Sequence, residues 1–250
     1  MNLSEYKLND PNSGLMLVDK PSGWTSHDVV NFVRRRFGFK KVGHCGTLDP
    51  SATGLLILVV GYATKIADYL TKDHKVYRTT LTLGASTSSH DADGDILEKK
   101  PYFDVTVEKI REVLLAYEGS QMQIPPMVSA LKKGGKKLYE LARKGIEIER
   151  EPREIVIHGL KINNINIPEV DFTVDCSKGT YVRTICHDLA IQLGTLGHMT
   201  SLVREKSGDF LLDSAYQIEE ELKTWEREDF VKNMIPLAEF VNSKLLDKAK

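Results

Sequence analysis

The tightest constraint on this chain is the dozen residues from Gly43 to Gly54, GHCGTLDPSATG, joined without a break to the apolar run Leu55 to Val60. Glycine and small polar residues dominate the dozen, so its backbone can turn sharply and a bulky ligand can approach closely. The apolar run reads as a buried strand that anchors the loop in a core. One carboxylate, Asp49, stands in the middle. A lone aspartate on an anchored loop suits a nucleophile or a base. An Asp-Pro pair equally suits an aspartate whose side chain only caps a turn. The pattern by itself leaves both open.

Around this loop the spacing predicts an alternation of strands and helices. Leu15 to Val18 reads as a buried strand that ends in the turn cluster Lys20-Pro21-Ser22-Gly23. Thr25 or Ser26 can cap a following helix whose apolar face is Val29, Val30, Val33 and Phe37. A short helix is expected near Lys65 to Leu70, then a strand over Tyr77 to Leu83. The acidic stretch Ser89 to Asp95, SHDADGD, lacks the glycine and glutamate spacing of a calcium loop, so Asp93-Gly94 reads as a hairpin turn. Val107 to Tyr117 has helical spacing closed by Gly119, and Gln121 to Pro126 is expected to be irregular. A short helix is expected within Lys132 to Lys144, carrying Leu138, Leu141 and Ala142. Glu154 to Ile162 and Val170 to Cys176 look like paired strands. Tyr181 to Leu193 reads as a helix that turns Val182, Ile185, Cys186 and Leu189 inward, with Arg183 and His187 on its other face. The irregular mixture favours α+β over a doubly wound sheet.

Charge is segregated. A formal net charge of -1 hides the runs Arg34 to Lys41, RRRFGFKK, and Lys132 to Lys144, which holds Lys132, Lys133, Lys136, Lys137, Arg143 and Lys144 against Glu140. A local positive stripe is what binding to a phosphate backbone requires. The second run reads as an RNA contact; the first suits an RNA contact or a solvated helix face equally. Three cysteines without short paired spacing argue against a disulfide framework or a zinc site. The longest apolar run is too short for a membrane helix, and residues 1–13 are polar without a leader's apolar stretch, so a cytoplasmic chain is expected. A P-loop, a dinucleotide fingerprint and a metal cluster are all missing from the sequence.

Five ordered segments resemble the TruB family of tRNA pseudouridine synthases. GHCGTLDPSATG fits that family's catalytic pattern at every fixed position. GLMLVDKPSG from Gly14 resembles its first strand and Lys-Pro turn. Lys75-Val76-Tyr77-Arg78 resembles its tyrosine segment, PMVSALKKGGKKLYELARKG from Pro126 its RNA-binding insertion, and CSKGTYVR from Cys176 its arginine motif.

The resemblance implies a pseudouridine synthase fold: a mixed, largely antiparallel sheet with flanking helices and a basic insertion over about residues 121–151. A single catalytic domain over 1–250 is expected, with a helical tail at about 214–250 and no recognisable PUA domain after Gly208. It implies isomerisation of the T-loop uridine of tRNA, with Asp49 catalytic and with Tyr77, Arg183, Leu202, His44 and Lys20 binding the substrate. Lys132, Lys133, Lys136, Lys137, Arg143 and Lys144 would hold the RNA backbone. Arg183 stands in the first turn of its helix, where a cation opposes the macrodipole, so a carboxylate partner such as Asp49 is expected. Ordinary surface exposure and core packing are the alternatives for Arg183 and Tyr77. The isomerisation gains no electrons or protons overall, so neither cofactor nor metal is expected, and no protein partner is evident. Two rivals stay open: a non-catalytic RNA-binding or RNA-folding module, and a nucleoside or glycoside hydrolase releasing free base, of which a glycosidase would want a second carboxylate.

Overall fold

The computed structural model describes residues 7–129, 132–133, 136–138, 145–146 and 148–247. They form two compact units: His74–Leu202, and the segments before His74 and after Leu202 taken together.

The second of these begins with β1 (Gly14–Lys20) and the helix Ser26–Arg36, followed by β2 (Val42–Cys45) and β3 (Thr53–Val60). Thr25 caps the helix in a reciprocal capping box with Asp28, the arrangement that satisfies two orphan donors at once. β3 is the centre. β1 runs antiparallel to it from Gly14↔Val60 to Lys20↔Gly54, and β2 antiparallel from Val42↔Val60 to Cys45↔Ile57. Every second residue of β1 and β3 serves a different core. Met16, Val18, Leu56, Leu58 and Val60 pack with Val29, Val33, Phe37 and Phe230 on one face. Leu15, Leu17, Leu55, Ile57 and Val59 pack with Ile66, Leu70, Leu237 and Phe240 on the other. Cover on both faces explains why β3 is an unbroken apolar run rather than an alternating one.

The unit His74–Leu202 holds β4 (Lys75–Leu83), the hairpin β5 (Ala85–Thr87) and β6 (Ile96–Lys99), and the helix Val107–Ala116. Then come β7 (Gly119–Gln123), β8 (Lys132–Lys133), β9 (Lys136–Lys137), β10 (Arg153–Asn166), β11 (Glu169–Cys176) and the helix Val182–Gln192. Its sheet follows the order β12-β4-β11-β10-β7, where β12 (Gly197–Ser207) contributes its first residues here and its last to the other unit. The pairs β4–β11, β11–β10 and β10–β7 are all antiparallel.

Three expectations meet a different structure. Gly119–Gln123 is a strand, although its sequence GSQMQ has no apolar alternation; as an edge it is held by backbone pairing with Arg153–Ile157. In the basic insertion, Lys132–Lys133 and Lys136–Lys137 form a small antiparallel ladder, and Leu138 is helical and buried. The expected helix positions Leu141 and Ala142, together with Arg143 and Lys144, lie outside the described residues, as do the side chains of Lys132, Lys133, Lys136 and Lys137. After β13 (Phe210–Leu211), the segment expected to be purely helical also supplies β14 (Tyr216–Gln217) and β15 (Ile235–Pro236), which pair with β1. Among the described residues no helix is long and apolar enough to cross a membrane.

Candidate active site

The Asp49 loop is a braced structure. From one side, the turn after β1 grips its middle. The Lys20 ammonium donates to the carbonyls of Pro21 (2.9 Å), Trp24 (2.6 Å) and Pro50 (3.1 Å). The Gly23 amide donates to the same Pro50 carbonyl at 2.9 Å. The Ser26 hydroxyl accepts from the Leu48 amide at 2.9 Å and donates to the Leu48 carbonyl at 3.2 Å. Both residues flanking Asp49 are therefore fixed by groups from the turn and helix start that follow β1, and Ala52 N–H closes a turn onto the Asp49 carbonyl at 3.1 Å.

From the other side, the loop's two ends are tied to one guanidinium. Arg204, on β12, is completely buried, and it donates through Nε to the Leu55 carbonyl at 2.6 Å and through Nη2 to the Gly46 carbonyl at 3.2 Å. β12 also runs parallel to the start of β3, with Val203↔Thr53 and Arg204↔Gly54 in register. A Cβ on Gly54 would stand 2.5 Å from the Arg204 carbonyl oxygen, and its φ is +97°. That close approach is why the loop ends in glycine.

Asp49 itself is half-buried, and so accessible to a ligand. Two buried cations, Lys20 and Arg204, brace its loop, and the Lys20 ammonium feels the Asp49 charge directly. Burial pulls the Lys20 ammonium down to about 8; the Asp49 carboxylate pushes it back up and the Arg204 charge lowers it further. His44, on β2, sits at the loop entrance. Burial first and Arg204 second hold its pKa below the ordinary value, so its ring is neutral at neutral pH, and its Nδ1 is buried without a hydrogen bond. Lys20, expected at the substrate, has its ammonium on three carbonyls and acts on the loop.

In the other unit, Tyr77 is buried on β4, opposite Val174 of β11, and Leu202 is buried on β12. Arg183 is almost wholly buried at the start of its helix, not on a solvent face. Its Nη1 donates to Asp91 Oδ2 at 3.0 Å and its Nη2 to the Val128 carbonyl. Asp91, buried with it, also accepts from the Ser89 hydroxyl and from the Asp93 amide at 3.1 Å. Gln123 fixes the start of the same helix, accepting from the Tyr181 amide at 2.8 Å and donating to its carbonyl at 3.1 Å. Beside this pair the rings of His90 and His187 stack with centroids 4.0 Å apart and planes 6° apart. Burial, then the His187 ring and Arg183, lower His90 to about 4.

Asp91, Gln123, Ser26 and Arg204 do not stand out in the sequence as site residues. Asp91 lies in a stretch that reads as a turn, and Arg204 looks like an ordinary polar position of an alternating strand. All three cysteines are buried outside any disulfide, and burial pushes Cys176 and Cys186 up to about 12, which makes those two inert thiols. Among the described residues no group of three or more His, Cys, Asp or Glu could hold a metal ion.

The mixed sheets with flanking helices, and the single carboxylate on a braced loop, fit an enzyme of the pseudouridine synthase fold, the fold that similar solved structures share. Residues 34–182 match the family model described as TruB family pseudouridylate synthase (N terminal domain), and residues 183–242 match that of the tRNA pseudouridylate synthase B C-terminal domain. The chain belongs to the TruB family. It is 50% identical over 208 residues to the tRNA pseudouridine synthase B of Alkaliphilus oremlandii, covering 83% of this chain and 69% of that one. It is 46% identical over 207 residues to that of Syntrophotalea carbinolica, covering 83% and 68%. Among solved structures it resembles a chain of a Cbf5-Nop10-Gar1 complex at 27% identity and a TM-score of 0.69, covering 91% of this chain and 61% of that one.

Proposed function

We propose that this chain isomerises the T-loop uridine of tRNA to pseudouridine, with Asp49 as nucleophile or base. The observation that carries the reading is the Asp49 loop: a family motif with one carboxylate, whose backbone is held by Lys20, Gly23 and Ser26 on one side of Asp49 and by Arg204 at its two ends. The reaction breaks the N-glycosidic bond, turns the freed uracil and rejoins it to the sugar through carbon five, which gives up its hydrogen to water while the released nitrogen takes up a proton. It needs an ionised carboxylate within reacting distance more than it needs a proton relay. A loop whose flanking carbonyls and amides are already bonded does not have to reorganise when the substrate arrives, which is how a site gains rate from positioning.

The remaining roles follow from the family motifs. Tyr77 offers an aromatic face to the extruded uracil. Arg183, oriented by Asp91, is the charge partner of the reacting centre. Leu202 and His44 exclude water from the detached base. The basic insertion, with Lys132, Lys133, Lys136, Lys137, Arg143 and Lys144, holds the phosphate backbone of the T arm. No net oxidant or reductant is required, because the product is an isomer of the substrate.

The test is incubation with tRNA carrying tritium at uracil carbon five. Isomerisation releases tritium to water. Release of labelled uracil would make the chain a hydrolase, and tight binding without release would make it an RNA-binding module; either result overturns the proposal.

A further inference from the structure

The basic run from Arg34 to Lys41 is divided by the structure. Arg34, Arg35 and Arg36 end the first helix, where they complement its macrodipole, and Arg36 pairs with Glu226 at 3.2 Å. Lys40 and Lys41 go elsewhere. They are exposed, and with Lys65 and Arg227 they line a cavity of about 390 Å³ whose wall also includes Tyr62 and Asp10.

The cavity is built rather than incidental. The Gly61 amide donates to the Lys41 carbonyl at 2.9 Å, and Gly61 has a φ of +63° with Ser13 Oγ 2.3 Å from where its Cβ would be. A side chain there would collide with Ser13 and the Asn12 carbonyl, so the wall keeps a glycine at this point. Arg227 is fixed by three contacts: Nη1 donates to the Phe37 carbonyl, Nη2 to Asn12 Oδ1 at 2.8 Å, and its guanidinium carbon lies 4.3 Å from the Phe39 ring centroid. None of these is a carboxylate, so its charge is not cancelled by them. Asp10 is the one acid lining the cavity among the described residues. Its carboxylate already accepts from the Ser13 hydroxyl at 2.7 Å and the Asn12 amide at 3.2 Å. The Tyr62 ring adds an aromatic face, with the Lys7 ammonium 5.8 Å from its centroid.

Net positive charge, an aromatic face and nucleotide-scale volume together select a phosphodiester-linked nucleotide. Topology places the cavity away from Asp49. Gly61 follows the last residue of β3, whereas the Asp49 loop precedes its first, and that strand spans roughly 23 Å at about 3.3 Å per residue. We propose that this cavity is a second RNA-backbone subsite, lined by Lys40, Lys41, Lys65, Arg227 and Tyr62, that holds the RNA substrate at a distance from the reacting uridine. The inference rests on the proposed tRNA reading for its ligand.

The experiment compares the parent with Lys40→Ala/Lys41→Ala and, as a control of equal charge on the neighbouring helix end, Arg34→Ala/Arg35→Ala. Binding of unmodified tRNA is measured from about 50 to about 200 mM KCl, a range over which a few neutralised phosphates change affinity by orders of magnitude. Because all four residues are exposed, both variants should fold. The lysine pair should weaken binding and reduce the slope of log affinity against log salt by roughly 1–2, about one for each phosphate no longer neutralised. The arginine pair should leave the slope as in the parent, and kcat at saturating tRNA should be unchanged in the lysine variant while KM rises. A slope unmoved by the lysine pair, or lowered equally by the arginine pair, would overturn the subsite. So would heat stabilisation of the parent by AMP alone with an unmoved slope, which would make the cavity a free-nucleotide site. Tritium release by the parent is read separately: if the slope shifts and no tritium appears, the subsite stands and the proposed reaction falls.

Discussion

Gly54→Ala should both destabilise the chain and disable it, and the size of each effect can be worked from the loop's exit. The added methyl would stand 2.5 Å from the Arg204 carbonyl oxygen and 2.7 Å from its nitrogen, so it meets backbone that cannot rotate away as a side chain would. At a φ of +97°, a non-glycine residue carries about 1–3 kcal/mol of strain. Relief requires β3 to part from β12 at the Thr53–Gly54 register, losing one or two backbone hydrogen bonds at about 1 kcal/mol each. Together these give about 2–5 kcal/mol, which for a chain of this size lowers Tm by roughly 4–20 °C. The same parting moves the Leu55 carbonyl that Arg204 holds, and with it the Asp49 loop. A misplacement near 1 Å costs on the order of a hundredfold in rate. Circular dichroism against temperature reads the first effect, and tritium release at saturating tRNA below the variant's Tm reads the second. A Tm within about 2 °C of the parent with undiminished turnover would refute the argument that the loop is seated on the Arg204 backbone.

Other consequences are as definite. Lys20 has a folded pKa of about 8 against 10.5 ordinarily, so the folded chain sheds this proton first. The cost of burying its charge is full below pH 8 and is relieved as pH rises toward 10.5, while the three-carbonyl clamp loses a donor over the same window. Turnover should fall as pH passes about 8 in the parent and be lower but flat in Lys20→Met; superimposable pH profiles would remove Lys20 from the loop's support. Replacing Lys132, Lys133, Lys136 and Lys137 with alanine should weaken tRNA binding and flatten its salt dependence, and an unchanged slope would mean the insertion does not face phosphate. An isolated T-arm stem-loop is expected to be modified nearly as efficiently as whole tRNA. A deficit of about a hundredfold in kcat/KM, ~2.7 kcal/mol of transition-state binding, would show that remoter parts of the tRNA matter.

Local signals and nonlocal ones separate cleanly in this chain. The helix Ser26–Arg36 is readable because its cap, its acidic third residue and its apolar spacing all lie within a dozen positions. β3 is readable because a strand covered on both faces must be continuously apolar. The edge strand Gly119–Gln123 is not, since its hydrogen bonds come from Arg153–Ile157 and its own side chains carry no pattern. β14 and β15 are two-residue additions to β1, and nothing in so short a stretch marks a strand. Within the site, Asp49 announces itself by its motif. The groups that fix the loop do not: Arg204 is joined to Gly46 across 158 positions, and Asp91 to Arg183 across 92. A buried cation bonded to backbone carbonyls looks, in sequence, like any charged residue in a strand. The basic run Arg34 to Lys41 likewise carries one signal for two destinations, a helix end and a cavity wall.

The central claim is that the Asp49 carboxylate performs the chemistry and that the loop exists to hold it. Single-turnover tritium release from carbon-five-labelled tRNA by Asp49→Asn, measured beside the parent and with tRNA affinity determined for both, tests it most directly. The amide keeps the shape and cannot attack or accept a proton, so release should vanish while affinity stays close to that of the parent. Release within about tenfold of the parent, ~1.4 kcal/mol in the barrier, would contradict the account and move the chemistry to another residue.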